Sequence, residues 1–253
     1  MEKEILIRTK GLSRVFHTEF GEQNLLSDVN LQIYRGDFTV IMGASGSGKS
    51  TLLYHLSGLE PPSAGEVVFN GTEITGLSEN QKADFRRKNC GFVFQQNCLV
   101  EELNVLDNVI TAGLLSSSDK KKIIADAREL LCRLGVSERT QTKYPSQISG
   151  GRAQRVSIAR ALIQSPAVIF ADEPTGSLNS KASLKVMDIF TELNRAGQSI
   201  VMVTHSVASA CRGSRILYLR DGKLLDECLL GEYDGDDDGR IARLNLFLGK
   251  MGW

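Results

Sequence analysis

The sequence predicts an α/β fold in which antiparallel strands come first, a strand–loop–helix unit follows, and a helical insertion precedes further αβ units. Three features of the chain point to it. Residues 38–42 form a continuous apolar run suited to a strand buried on both faces, and a glycine-rich segment from Gly43 follows at once, with Leu52, Leu53 and Leu56 at helical spacing beyond it. Helical signals dominate from about Val105 to Ile163. Two more buried strands, residues 167–171 and 199–204, then flank an amphipathic helix marked by Val186, Ile189, Phe190 and Leu193.

The remaining elements follow in chain order. Met1, Glu2, Lys3 and Glu4 are charged and lead straight into a strand-like run, so no secretory signal is expected. Val29, Leu31 and Ile33 alternate with polar residues, which predicts one strand with one buried face. Residues 67–69 form a short strand closed by Asn70-Gly71, a strong hairpin turn, and residues 91–94 form another strand. The helical stretch is broken at Ser116-Ser117-Ser118 and at Tyr144-Pro145-Ser146. Within it, residues 120–134 carry Ile123, Ile124, Ala127, Leu130, Leu131 and Leu134 on one face. Residues 215–219, the turn Asp221-Gly222 and residues 223–225 complete a terminal hairpin.

A length of 253 residues suits one large domain or one domain with an inserted subdomain. Residues 1–96 and 164–225 are expected to make the core and β lobe, 97–163 the insertion, and 226–253 a tail. Thirty basic and thirty acidic residues cancel, giving no support to nucleic-acid binding, which draws most of its affinity from a basic surface. Five cysteines at 90, 98, 132, 211 and 228 form no C-x-x-C pair, which argues against a disulfide framework or a zinc site. No stretch approaches the ~20 consecutive apolar residues that span a bilayer, so any membrane role is expected to come through a partner.

The glycine-rich segment Gly43-Ala44-Ser45-Gly46-Ser47-Gly48-Lys49-Ser50, followed by Thr51, matches G-x-x-x-x-G-K-[ST] in full. Its glycines let the backbone turn several N–H groups toward one centre, and the helix that follows adds its positive end, which together make an anion site. Lys49 supplies a mobile charge for the outer phosphates of a nucleotide, and the Ser50 hydroxyl is placed to coordinate Mg²⁺. A chance glycine-rich turn is the bland alternative; the flanking strand and helix weigh against it. Residues 168–171 end in the adjacent acids Asp172 and Glu173. Asp172 suits a Mg²⁺ contact and Glu173 the polarisation of an attacking water, although acids are also common at solvated strand ends.

Ile148-Ser149-Gly150-Gly151-Arg152, continued by Gln154-Arg155-Val156-Ser157, resembles the LSGGQ signature of ABC transporter ATP-binding subunits. The resemblance runs from Ile5 to about Leu225, with each motif present once and in the family's order. It implies a RecA-like core of the phosphate-loop NTPase class, with an antiparallel β lobe and an inserted α-helical subdomain, and an ATPase that uses ATP and Mg²⁺. Phe16, by residue type a core or rim aromatic, would be the ring that stacks on adenine. Gln95 would contact Mg²⁺ and the water, and His205, a lone histidine after a buried strand, would hold the γ-phosphate. Ser149, Gly150 and Gly151 would cover the nucleotide of a second copy, so two chains would be needed for two sites. Arg152 stands where the family has glutamine, and Asn179 where it has aspartate; either change could slow hydrolysis, but with Lys49, Gln95, Glu173 and His205 present, competence is expected.

Residues 92–96, 171–176 and 203–206 are most similar to the subgroup of macrolide-export, lipoprotein-release and bacitracin-resistance ATPases, with Tyr144-Pro145 and residues 208–211 nearer its peptide-antibiotic-resistance branch. That similarity implies a cytoplasmic subunit peripheral to the inner face of the membrane, bound to a permease with a large extracytoplasmic domain. It also leaves open a non-transport or regulatory ATPase. In the tail, residues 234–241 match the start of a calcium loop, but Asn245 stands in place of the bidentate glutamate. A solvated acidic loop is therefore expected there, followed by a short amphipathic helix through Ile241, Leu244, Phe247 and Leu248 that packs on the chain's own core.

Overall fold

The computed structural model describes residues 3–18 and 21–253, with the backbone alone at 17 and 18. Met1 and Glu2, part of the charged start, lie outside the described residues. The first lobe contains β1 (Ile5–Thr18), β2 (Gly21–Val29) and β3 (Gln32–Tyr34). Next come β4 (Phe38–Met42), α1 (Lys49–Leu56), β5 (Ala64–Phe69), β6 (Thr72–Glu73), α2 (Glu79–Asn89) and β7 (Cys90–Phe94). The inserted helices are α3 (Val105–Gly113), α4 (Lys120–Arg133), α5 (Glu138–Gln141) and α6 (Gly150–Leu162). The chain closes with β8 (Val168–Asp172), α7 (Ser180–Arg195), β9 (Ser199–Val203), α8 (Val207–Ala210), β10 (Arg215–Arg220), β11 (Lys223–Leu229) and α9 (Asp237–Lys250).

Two sheets organise these elements. The antiparallel lobe runs β2-β1-β5-β6, with β3 also on β1, and the Asn70-Gly71 turn closes the β5–β6 hairpin with both residues at positive φ. The central sheet runs β11-β10-β4-β9-β8-β7, parallel throughout except at the β10–β11 hairpin. Its strands are apolar because both faces are covered. Val40, Met42, Ile200, Met202, Ile169 and Ala171 join one apolar cluster with the inserted helices and α9. Their neighbours Ile41, Val201, Val203, Val168 and Phe170 join a second with α1 and the lobe.

Three expectations change. Val29, Leu31 and Ile33 are buried, as their alternation requires, but they do not form one strand: Val29 ends β2, Ile33 lies in β3, and Leu31 sits in the connection between them. The chain bends between them: Asp28 sits at φ 50°, and the Thr9 hydroxyl, accepting from Leu31 N at 3.0 Å and donating to Val29 O at 2.8 Å, replaces ladder bonds. Helix α2 was not anticipated, because Ala83 and Phe85 are its only apolar residues; its signal is the capping box Ser78-x-x-Gln81. The tail boundary at 225 falls inside β11, and the acidic run is an exposed loop only over residues 234–236, with Asp237 and Asp238 already in a helix. Asp236 caps α9 by accepting from Gly239 N at 3.0 Å, and Asp237 and Asp238 occupy the first turn, where the helix dipole favours acids. No group of three or more His, Cys, Asp or Glu that could hold a metal exists among the described residues.

Helix α9 packs on the chain's own core, as expected. Leu244 and Leu248 are buried, and Phe247 meets the Tyr218 ring edge-on. Arg240, only 4% exposed, locks the helix down. Its guanidinium donates to the carbonyls of Cys211 and Gly213 and to those of Leu230, Gly231 and Glu232, at 2.6–3.1 Å. Arg240→Met keeps the volume but leaves these buried carbonyls without their donor, so a loss of about 3 kcal/mol is expected. A denaturation curve that shifts by less than about 1 kcal/mol would show that water replaces the guanidinium.

Candidate functional site

Because β7, β8, β9 and β4 are parallel, the loops that follow them emerge at one edge of the sheet, where α/β proteins collect their ligands. The register is tight: Ile41 lies opposite Val203, Val203 opposite Asp172, and Asp172 opposite Phe94. The segments that leave these strand ends are therefore neighbours: Gln95 and Glu173 follow at once, and the phosphate loop from Gly43 and His205 follow one residue later.

The loop from Gly43 to Gly48 wraps the N-terminus of α1, with Gly43, Gly46 and Gly48 at positive φ. Gly48 lies against the Leu25 carbonyl, which a Cβ would meet at 2.5 Å, so the lobe presses directly on the loop. Lys49 Nζ donates to Gly43 O at 2.8 Å and Ala44 O at 2.7 Å. Burial lowers the pKa of its ammonium, while Glu173 and Asp172 favour the charged form. Ser47 Oγ is buried with no hydrogen-bond partner among the described residues, a free polar group inside the cradle. Thr51 follows in the first turn of α1.

Ser50 Oγ donates to Asp172 Oδ1 at 2.9 Å, and Tyr54 OH donates to Asp172 Oδ2 at 2.8 Å. A hydroxyl and a carboxylate oxygen side by side, with Gln95 on the neighbouring strand end, are the hard oxygen donors that Mg²⁺ takes, so the residues present fit that ion. Glu173 occupies the left-handed region at φ 46°, unusual for a residue with a side chain, and is held by Glu173 N donating to Val203 O at 3.0 Å. Its Oε1 lies 2.8 Å from His205 Nδ1. The structure thus pairs two groups to which the sequence assigned separate tasks.

Gln95 is gripped from two sides. Gly176 lies so close that a Cβ would come within 2.9 Å of Gln95 Nε2, and Ser177 Oγ donates to Gln95 O at 3.3 Å. Helix α6 also holds this segment: Gln154 Nε2 donates to Phe94 O at 3.1 Å, and Arg160 Nη2 to Asn97 O at 2.9 Å. Phe16 is 48% exposed, which excludes a core role, and the Arg14 guanidinium lies 5.3 Å from its ring centre.

Ser149, Gly150 and Gly151 are elsewhere. Ser149 caps α6 without a side-chain hydrogen bond, and Gly150 and Gly151 open the helix. Ser149 and Gly151 line a cleft with Arg152, Arg155, Asn179, Lys181 and Lys185, and no residue of the phosphate loop lines it. Four of its lining side chains, Arg152, Arg155, Lys181 and Lys185, are cationic and none is acidic. Lys181, Lys185 and Tyr54 were missed in the sequence because no motif contains them; only the four-residue spacing of Ser50 and Tyr54 on one helix face hinted at the last.

A glycine-built phosphate loop between a buried strand and a helix, with an acid pair closing a neighbouring parallel strand, defines a phosphate-loop nucleoside triphosphatase. The chain belongs to the ABC transporter family, whose model matches residues 26–176. It is 44% identical over 222 residues to the lipoprotein-releasing system ATP-binding protein LolD of Aquifex aeolicus, covering 88% of this chain and 97% of that protein. It is 41% identical over 225 residues to the macrolide export ATP-binding/permease protein MacB of Pasteurella multocida, covering 89% of this chain but only 34% of that longer protein. The fold matches the dimeric ATP-binding cassette MJ0796 bound to ADP and Pi, with a TM-score of 0.83 and 36% identity over 90% of this chain and 100% of that one. The protein is an ABC-type ATPase that uses ATP and Mg²⁺, an ATP-binding subunit of the macrolide-export and lipoprotein-release kind.

Proposed function

We propose that two copies of this chain close over two ATP molecules and that hydrolysis drives a separate membrane permease. The division of the site between two surfaces supports this reading most. Lys49, Asp172, Glu173 and His205 meet at the sheet edge, whereas Ser149 and Gly151 line a cleft of their own. The signature of one copy would cover the phosphates held by the other, bringing the positive end of α6 and the charge of Arg152 to the nucleotide.

Lys49 and the backbone N–H groups of residues 43–48 would hold the phosphate chain, and Phe16 the adenine. Ser50, Asp172 and Gln95 would hold Mg²⁺, which when bound withdraws charge from the transferred phosphoryl group. Glu173 would accept a hydrogen bond from the attacking water and take its proton, with His205 fixing the carboxylate through Nδ1 and reaching the γ-phosphate with its other nitrogen. The water is thereby aligned with the phosphorus–oxygen bond that breaks, and positioning of this sort is most of what such enzymes supply.

The permease would place the chain on the cytoplasmic face of the membrane. No helix among the described residues is long and apolar enough to cross it. Likeness to LolD and MacB favours export or extraction of an antibiotic or lipid-linked cargo; the motifs similar to the peptide-antibiotic-resistance branch add a peptide, and the cancelling charges give no support to nucleic acid as a partner.

Complementation tests the shared site. Lys49→Ala loses the phosphate grip, and Ser149→Arg blocks the cover at an exposed position. Each chain alone should be inactive. Mixed, half the dimers pair one mutant of each kind and carry one intact site of two, so roughly a quarter of wild-type phosphate release should return. A mixture as inactive as its parts, or full activity in either mutant alone, would rule out sites built from two chains.

A further inference from the structure

Asp172 is held at both oxygens, and both donors come from α1. The Ser50 hydroxyl engages Oδ1 at 2.9 Å and the Tyr54 phenol engages Oδ2 at 2.8 Å. Positions 50 and 54 are one helical turn apart, so the same face of α1 presents both hydroxyls to the end of β8. Tyr54 lies beyond the phosphate-loop motif, and its ring packs against the apolar cluster beneath the lobe.

We propose that Tyr54 is a positioning residue for the divalent cation, fixing the carboxylate of Asp172 so that Oδ1 faces the cation beside Ser50. This rests on the reading of Asp172 and Ser50 as cation ligands given above. The terminal torsion of an aspartate is broad, so a carboxylate held through one oxygen still swings about that contact. A second donor on the other oxygen removes the swing. The Ser50 hydroxyl keeps a lone pair for the cation while its proton stays on Oδ1, whereas the phenol spends its only proton on Oδ2. In this proposal Oδ1, shared with the Ser50 hydroxyl, serves the metal, and Oδ2 is held by the phenol. Partners that orient a metal ligand in this way typically govern affinity by about 10–100-fold.

The test compares the full chain with Tyr54→Phe, which keeps the ring in the apolar cluster and removes only the hydroxyl. Mn²⁺ is titrated into protein saturated with a non-hydrolysable ATP analogue and followed by electron paramagnetic resonance. Affinity for the analogue is measured separately in EDTA. The expected result is Mn²⁺ binding weakened about tenfold, with metal-free nucleotide affinity unchanged. Equal Mn²⁺ affinity in the two chains overturns the role of Tyr54 alone. An equal loss of metal-free nucleotide binding also overturns it, because the phenol would then act on the shape of α1. If the wild-type chain binds nucleotide but no Mn²⁺, the assignment of Asp172 as a ligand falls, and this proposal with it.

Discussion

Glu173→Gln is expected to bind ATP with near wild-type affinity and to lose turnover by about 100-fold or more. Glutamine keeps the size of the side chain and can still hydrogen-bond His205, so the 2.8 Å contact between the two residues has a substitute. The phosphate grip proposed for Lys49 and the loop is untouched. What disappears is the acceptor for the water's proton, a general-base contribution of about 10²–10⁴-fold. With hydrolysis blocked, the ATP-bound dimer should persist, because the step that separates the copies never occurs. Phosphate release and size-exclusion chromatography in ATP check both parts. Turnover at the wild-type rate would remove Glu173 from the chemistry, and His205 would become the group to examine.

Gly43→Ala should be the most damaging single-methyl change in the phosphate loop, costing about 3 kcal/mol or more. A Cβ there would lie 2.0 Å from the Leu219 carbonyl oxygen and 2.7 Å from Ser47 Oγ. Ser47 can turn aside. Leu219 cannot, because it belongs to β10, which is paired with β4 on one side and β11 on the other. The loop must therefore move, and the N–H groups proposed to hold the phosphates move with it, so ATP affinity should fall more than tenfold. Gly46→Ala is the control: it shares a positive φ, 78°, but nothing lies within 4 Å of its Cβ, so only the conformational cost of about 1 kcal/mol remains. Denaturant midpoints and nucleotide affinities for the pair decide the matter. Equal effects in the two variants would mean that backbone conformation, not contact with β10, governs the loop.

The motifs were legible because their chemistry is encoded locally. Gly43 to Ser50 places its donors by covalent spacing alone, and the adjacent Asp172 and Glu173 announce themselves at the end of an apolar run. Helices with a clear apolar stripe, such as α4 and α7, were equally plain. Helix α2 was not, since a surface helix with two apolar residues has almost no stripe to read. The acidic run before α9 looked like a solvated loop because Asp-rich segments serve turns and helix starts alike, and only the downstream packing of Leu244 and Leu248 decides between them.

By itself the sequence determined that this chain carries a phosphate-loop motif, an acid pair and a Ser-Gly-Gly turn, and which family these mark. Those features depend on the order of neighbouring residues. Only the tertiary structure decided that Glu173 touches His205, that Tyr54 reaches Asp172, that Arg240 holds the final helix, and that the Ser149 cleft stands apart from Lys49. Each of these joins residues from different elements. Their separation in space is set by strand order and packing, which no local pattern contains.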